Sequence, residues 1–177
     1  VWKLAPALAM GNTCVLKPAS DTPLTALRLA ELLDETDLPK GVVNIVTGGG
    51  ATVGEELASH PDVDKVSFTG STEVGRKILH ASEGNLKRVT LELGGKSPNI
   101  VFSDANLKRA ASGSMFGVFL NSGQVCTAGT RILVEKSIHD SFVESLVEAT
   151  ESMRLGPALD DGTGMGPVVS AEQLERV

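Results

Sequence analysis

The chain has 177 residues, enough for one domain or parts of two, and 41% of them are apolar, so a sizeable core is within reach. Its 22 acidic and 16 basic residues give a net charge of −6, dispersed along the chain, which argues against a nucleic-acid or anionic-membrane partner, since either wants a basic face. Two cysteines far apart, Cys14 and Cys126, make neither a disulfide framework nor a zinc spacing and suit a reducing compartment; no apolar run reaches the length of a membrane span, and no signal-peptide pattern is read.

Residues 2–10 read as the last turns of a helix stopped at Gly11-Asn12. A short strand over 13–17 ends at Pro18. A helix over 22–35 starts with Pro23 in its first turn and sets Leu24, Leu27, Ala30 and Leu33 on one face. A buried strand over 41–46 leads through Gly48-Gly49-Gly50 into a helix over 51–59. A third strand over 65–68 passes through Gly70 into a helix over about 72–81, with Val74, Ile78 and Leu79 inward, and a fourth strand covers 87–93. Strand and helix alternate over short links, which predicts a parallel sheet covered by helices with right-handed crossovers.

Beyond Gly94-Gly95 a strand over 99–102 precedes a helix capped by Asp104 and running to about Leu120. A Gly-flanked loop over 121–130 holds Cys126, and a strand follows over 131–135. Ser137, with an acid three residues on, opens a helix whose inner face is Ile138, Phe142, Leu146 and Met153. The stretch 155–166 is rich in Gly, Pro and Asp and reads as loop, and 172–177 as the start of a helix.

The chemistry concentrates in two stretches. In Asn121-Ser122-Gly123-Gln124-Val125-Cys126 a thiol sits on a small polar loop whose glycines let the backbone bend close to a ligand. Such a thiol can act as a nucleophile with backbone N–H help for a developing oxyanion, or be simply a small buried hydrophobe. In Leu91-Glu92-Leu93-Gly94-Gly95-Lys96 a carboxylate among apolar neighbours is a candidate general base with a raised pKa, or a solvated strand-end charge. The glycine-rich turns at 48–50 and 70–71 each enter a helix, where free N–H groups attract phosphate oxygens, although turn geometry alone accounts for such glycines too. Neither turn has the G-x-G-x-x-G spacing. Lys17, at a strand end, reads as a ribose or phosphate ligand or as a snorkelling lysine. Cys14, His60, His80 and His139 read as structural or surface residues, and no metal site is expected.

These two stretches, with Phe68-Thr69-Gly70-Ser71-Thr72-Glu73-Val74-Gly75-Arg76 and Gly11-Asn12-Thr13-Cys14-Val15-Leu16-Lys17-Pro18, resemble the signatures of the aldehyde dehydrogenase superfamily, in the family's order and over essentially the whole chain. The resemblance implies an α/β fold: a Rossmann-like parallel sheet with flanking helices as part of an NAD(P)-binding domain over 1–94, and part of a second α/β, thiol-bearing catalytic domain over 95–177. It implies Cys126 as nucleophile and Glu92 as base in the oxidation of an aldehyde to an acid through a thiohemiacetal and a thioester. It places NAD or NADP against Lys17, Ser20, Gly50, Phe68, Gly70, Ser71, Val74, Leu93 and Gly94, with Lys17 on the adenine ribose and Gly50 near the adenine. Ser20 stands where many NAD-preferring relatives have a glutamate, so dual cofactor use is expected. Lys3 matches a family lysine near the active site. A cytoplasmic homodimer or homotetramer is implied for the full-length protein. Family members are well over twice this length, and the chain opens and closes inside helical patterns, so it is expected to be an internal piece. Two other readings remain: a truncated nucleotide-binding fragment without turnover, and a cysteine-dependent esterase or acyltransferase without redox chemistry.

Overall fold

A computed structural model describes all residues, 1–177. They divide into two compact units, Val1–Leu93 and Gly94–Val177.

The first unit carries α1 (Leu4–Ala9), β1 (Cys14–Leu16), α2 (Leu24–Asp34), β2 (Val43–Ile45), a π-turn over Gly50–Gly54 running into α3 (Glu55–Ser59), β3 (Lys65–Gly70), α4 (Thr72–Ala81) and β4 (Arg88–Leu93). The strands pair as β1 with β2 and β3 with β4, both parallel. Two strands running the same way need a crossover, and α2 and α4 supply them, giving two βαβ units. The expected sheet is therefore present as separate two-stranded pairs. The burial of β3 and β4 alternates: Val66 and Phe68, then Val89, Leu91 and Leu93, turn inward. That is the period of two that a pleated strand imposes.

Two helix faces differ from expectation. On α2 the half-buried residues are Ala26, Leu29, Ala30 and Leu33, whereas Leu24 and Leu27 are exposed. On α4 the buried positions are Gly75 and Ile78, while Val74 and Leu79 are exposed. The reason is at Gly75: a Cβ there would lie 2.9 Å from Leu93 Cδ2 and 3.2 Å from Cδ1. The helix approaches β4 through the residue that has no side chain, which rotates Val74 away from the sheet. The helix expected over 51–59 also begins irregularly, as the π-turn.

The second unit carries β5 (Pro98–Val101), α5 (Leu107–Phe119), a short 3-10 turn over Leu120–Gly123, β6 (Arg131–Val134), a 3-10 turn over Lys136–Ile138, α6 (His139–Glu151) and α7 (Ala171–Arg176). Strands β5 and β6 are parallel, and α5 with the cysteine loop makes the crossover. The core is Val101, Ala111 and Phe142, ringed by Leu107, Ile132, Val134, Ile138 and Leu146. Phe142 is 1% exposed; burying such a side chain stabilises by about 1.5–3 kcal/mol. The inner face of α6 is as the sequence predicts. Its start is not: Ser137 does not cap it and instead donates to Glu135 Oε1 at 3.0 Å, and no side chain caps the helix. Likewise α5 is capped by Asn106, whose Oδ1 accepts from the Arg109 N–H at 3.0 Å, and not by Asp104. A turn from Phe102 O to Ala105 N takes up the intervening residues. The 155–166 stretch is irregular and contains one bridge, Leu155 with Met165. No helix is long and apolar enough to cross a membrane.

Candidate functional site

In the first unit most candidate residues gather at the carboxyl ends of the strands, where nucleotides bind α/β folds. Lys17 follows β1, and its Nζ donates to Pro18 O at 2.8 Å and Gly48 O at 3.1 Å. Its aliphatic stem passes Gly54. The ammonium is thereby held over the entrance to the π-turn. Gly48 has φ +153°, and a Cβ on it would stand 2.4 Å from Val53 Cγ2. Gly50, by contrast, has open space around it. So the triplet is required at 48 for packing, while 50 leaves the turn accessible. Ser20 is exposed on the segment after Pro18.

At the ends of β3 and β4 the register is Phe68 with Leu91, Thr69 with Glu92, and Gly70 with Leu93. A Cβ on Gly70 would lie 2.3 Å from the Phe68 ring. The exposed turn after it needs glycine for that reason. Ser71 caps α4, its Oγ accepting from the Val74 N–H at 3.2 Å. The N-terminus of this ten-residue helix is thus formed and open, with the positive end of its dipole outward. Glu73 in its first turn is paired with Lys77 at 2.8 Å, and the carboxylate holds the lysine above its ordinary range.

Glu92 and Thr69 stand side by side, both exposed. Lys3 Nζ donates to Thr69 Oγ1 at 2.7 Å. Lysine, hydroxyl and carboxylate therefore share one edge of the unit. Thr69 lies inside the Phe68–Arg76 stretch but carries no signal of its own in the sequence, because a Lys-to-Thr bond across 66 residues has no local signature. The apolar enclosure that the reading of Glu92 invoked is not supplied here, for its side chain lies on the exposed face of β4.

In the second unit Cys126 is free and exposed. Its backbone carbonyl lies 3.9 Å from where a Cβ on Gly95 would be, so the loop passes closely over the turn that opens with Gly94. The loop's shape is unusual. Asn121, Ser122 and Gly123 all have positive φ, at 53°, 57° and 74°. It is closed by bonds from Gln124 N to Asn121 O, Ala128 N to Val125 O and Gly129 N to Gly117 O. Gly129 packs on Asn99, whose Nδ2 donates to the buried Ser114 Oγ at 2.7 Å. Cys14, the other cysteine, is half-buried in β1.

A cavity of about 760 Å³ opens between β1, β2 and α3 and is lined by Val15, Val46, Val53, Leu57, Glu55 and Glu56 among others. None of the candidate nucleotide-binding side chains lines it, and two carboxylates would repel a pyrophosphate. It is not assigned to the cofactor. No group of three or more His, Cys, Asp or Glu gathers to hold a metal ion.

Comparison with known proteins adds independent information. The aldehyde dehydrogenase family profile matches residues 1–177. Betaine aldehyde dehydrogenase of Bacillus subtilis is 52% identical over 176 residues, covering 99% of this chain and 36% of its own length. The mouse protein described as aldehyde dehydrogenase, cytosolic 1 (Mus musculus) is 54% identical over 177 residues, covering 99% of this chain and 35% of its own. Among solved structures, PnpE in complex with nicotinamide adenine dinucleotide has a TM-score of 0.97 at 52% identity, over 99% of this chain and 36% of that one. Staphylococcus aureus betaine aldehyde dehydrogenase, in complex with NAD+, has a TM-score of 0.96 at 44% identity, over 99% and 35%. The chain thus spans little more than a third of the length of these relatives.

Proposed function

The chain belongs to the aldehyde dehydrogenase family, and from that membership we propose that it carries the nucleotide-binding portion, within 1–94, and the thiol nucleophile, within 95–177, of an NAD(P)-dependent aldehyde dehydrogenase. The observation that carries the reading is the exposed, free Cys126 thiol on a tightly wound loop. The glycine-rich strand ends beside Lys17 and the open N-terminus of α4 supply the chemistry a dinucleotide needs.

In this reading Lys17 binds the adenine ribose. Gly50 lies toward the adenine, and Gly70, Ser71 and Val74 lie along the pyrophosphate and adenine side. Phe68, Leu93 and Gly94 complete the cofactor-binding set. Cys126, as the thiolate, attacks the aldehyde carbon. A C–S bond forms, and the carbonyl π electrons move to oxygen, where the backbone N–H of Cys126 stabilises the charge. The nicotinamide cofactor, when bound, supplies the hydride acceptor that converts this thiohemiacetal to a thioester. Glu92 then removes a proton from water as it adds to the thioester carbonyl; the C–S bond breaks, releasing the carboxylic acid and restoring the thiolate. Cytoplasmic residence and assembly as a homodimer or homotetramer belong to the same proposal.

The test uses the full-length protein, an aldehyde panel and both cofactors. Cys126→Ala is expected to abolish formation of reduced cofactor. Glu92→Gln is expected to lower steady-state turnover by about 10²–10⁴-fold while keeping a first-turnover burst of reduced cofactor. Persistent aldehyde oxidation by Cys126→Ala would overturn the proposal. Ester hydrolysis by the wild type with no aldehyde-dependent cofactor reduction would favour a non-redox thiol enzyme.

A further inference from the structure

We propose that Ser122 and Gln124 are positioning residues that hold the Cys126 loop in its left-handed winding by bonding to a distant strap, residues 166–169. The inference rests on the reading of Cys126 as the nucleophile.

Asn121 and Ser122 are L-residues in the left-handed region, followed at once by Gly123 in the same region. Successive residues there are disfavoured by the clash between Cβ and backbone, so such a run persists only where its surroundings over-determine it. Locally the turn is closed by the backbone bond from Gln124 N to Asn121 O at 3.1 Å, while the side-chain bonds Asn121 Nδ2 to Gln124 O and Gln124 Nε2 to Asn121 O are long, at 3.4 Å. The firmer side-chain bonds come from far along the chain. Ser122 Oγ donates to Gly166 O at 2.9 Å and reaches Pro167 O at 3.3 Å. The Val169 N–H donates to Gln124 Oε1 at 3.0 Å. Two side chains of the loop therefore clasp the strap from both ends.

The strap is itself anchored. On one side Met165 bridges to Leu155, with Gly156 N to Met165 O at 3.3 Å and Met165 N to Arg154 O at 3.2 Å. Gly166 also packs on Ala158. On the other side Ser170 caps α7, its Oγ accepting from the Gln173 N–H at 3.2 Å. Loosening either clasp frees a disfavoured backbone to relax, and Cys126 stands four and two residues beyond the two clasping side chains. The thiol then loses its set position, with no change at the strand ends proposed to bind the nucleotide.

The experiment uses the full-length protein with propanal and NAD. Ser122→Ala and Gln124→Ala are each expected to lower kcat by about ten- to a hundredfold, the scale of a small misplacement of a reacting group, with NAD affinity unchanged. Both are also expected to alter the pH profile of iodoacetamide alkylation at Cys126, read by mass spectrometry with Cys14 as the internal control. Because one strap serves both side chains, the double variant should fall short of the product of the two losses. If Ser122→Ala fails to fold, Ser122→Gly keeps the left-handed freedom without the hydroxyl and gives the same readout. Wild-type kcat and a wild-type alkylation profile in both single variants would overturn the proposal. A Cys126→Ala enzyme that still turns over would instead overturn the nucleophile assignment, leaving the alkylation profile to decide the positioning.

Discussion

Ser20 has no hydrogen-bond partner assigned in the chain and is exposed, while Lys17, three residues earlier, is fixed by two carbonyls. If Lys17 lies at the adenine ribose, the residue at 20 faces the position where NADP adds its 2′-phosphate. A carboxylate there would repel it, at about 4 kcal/mol for charges 4 Å apart at an effective dielectric of 20 and about 1 kcal/mol in water. A hydroxyl carries no charge to repel it. In the full-length enzyme NADP is therefore expected to be used alongside NAD, and Ser20→Glu to lower kcat/KM for NADP by about ten- to a hundredfold, each tenfold being about 1.4 kcal/mol. Steady-state kinetics with both cofactors decide it; a wild type confined to NAD rules it out. A second residue carries a pH signature. Glu135 Oε2 accepts the Ser103 N–H at 2.7 Å, and with Ser137 this holds its carboxyl below the ordinary value of 4.5. A depressed folded pKa stabilises fully above the unfolded value and is lost as pH falls through the folded one. Denaturation of the full-length Glu135→Gln variant should therefore show a deficit relative to wild type at neutral pH that shrinks progressively below pH 4.5.

At the scale of the element, Gly75 decides how α4 sits on β4. An added methyl would press on Leu93 and Leu91. Alanine gains about 1 kcal/mol in helix propensity over glycine, and overpacking costs about 1–3 kcal/mol. In the full-length protein the net expectation for Gly75→Ala is a loss of about 1 kcal/mol by chemical denaturation, with weaker NAD binding because Leu93 shifts. A more stable variant would show that the helix relaxes outward without cost. The same glycine explains where sequence reading stopped. Periodicity counts large apolar residues, so it places Ile78 inward correctly but turns Val74 and Leu79 inward with it and gives no weight to Gly75. On α2, leucine and alanine occur nearly all round, at 24, 26, 27, 29, 30, 32 and 33, and two stripes fit the period equally. The strands were legible because alternation has no such ambiguity, as Val66, Phe68, Val89 and Leu91 demonstrate. Asp104 and Asn106 are both good caps, and the turn between Phe102 and Ala105 chose the latter. The thiol and the glycine turns were visible as motifs. The clasp of Ser122 and Gln124 on residues 166–169 was not, since its partners lie 44 and 45 residues away.

For the whole molecule, the decisive quantity is surface. Its fully buried apolar residues are few and mostly small: Ala58, Ile78, Val101, Ala111, Ala128 and Phe142. On the outer face of β5 and β6, Ile100 is 57% exposed and its register partner Leu133 55%, with Phe102 at 62% beside them. A core of this size does not offset the conformational entropy of ordering 177 residues, and apolar patches of this kind bind whatever covers them. The 177-residue chain by itself is therefore expected to bind a hydrophobic dye strongly, to melt without a sharp transition and to show no aldehyde turnover with NAD. The same residues within a chain of the relatives' length should melt cooperatively and bind little dye, because further polypeptide closes the apolar faces. Calorimetry and dye fluorescence on the two chains side by side read this directly. A sharp, dye-silent melt of the short chain would mean that its small core suffices, and the surface argument would fall.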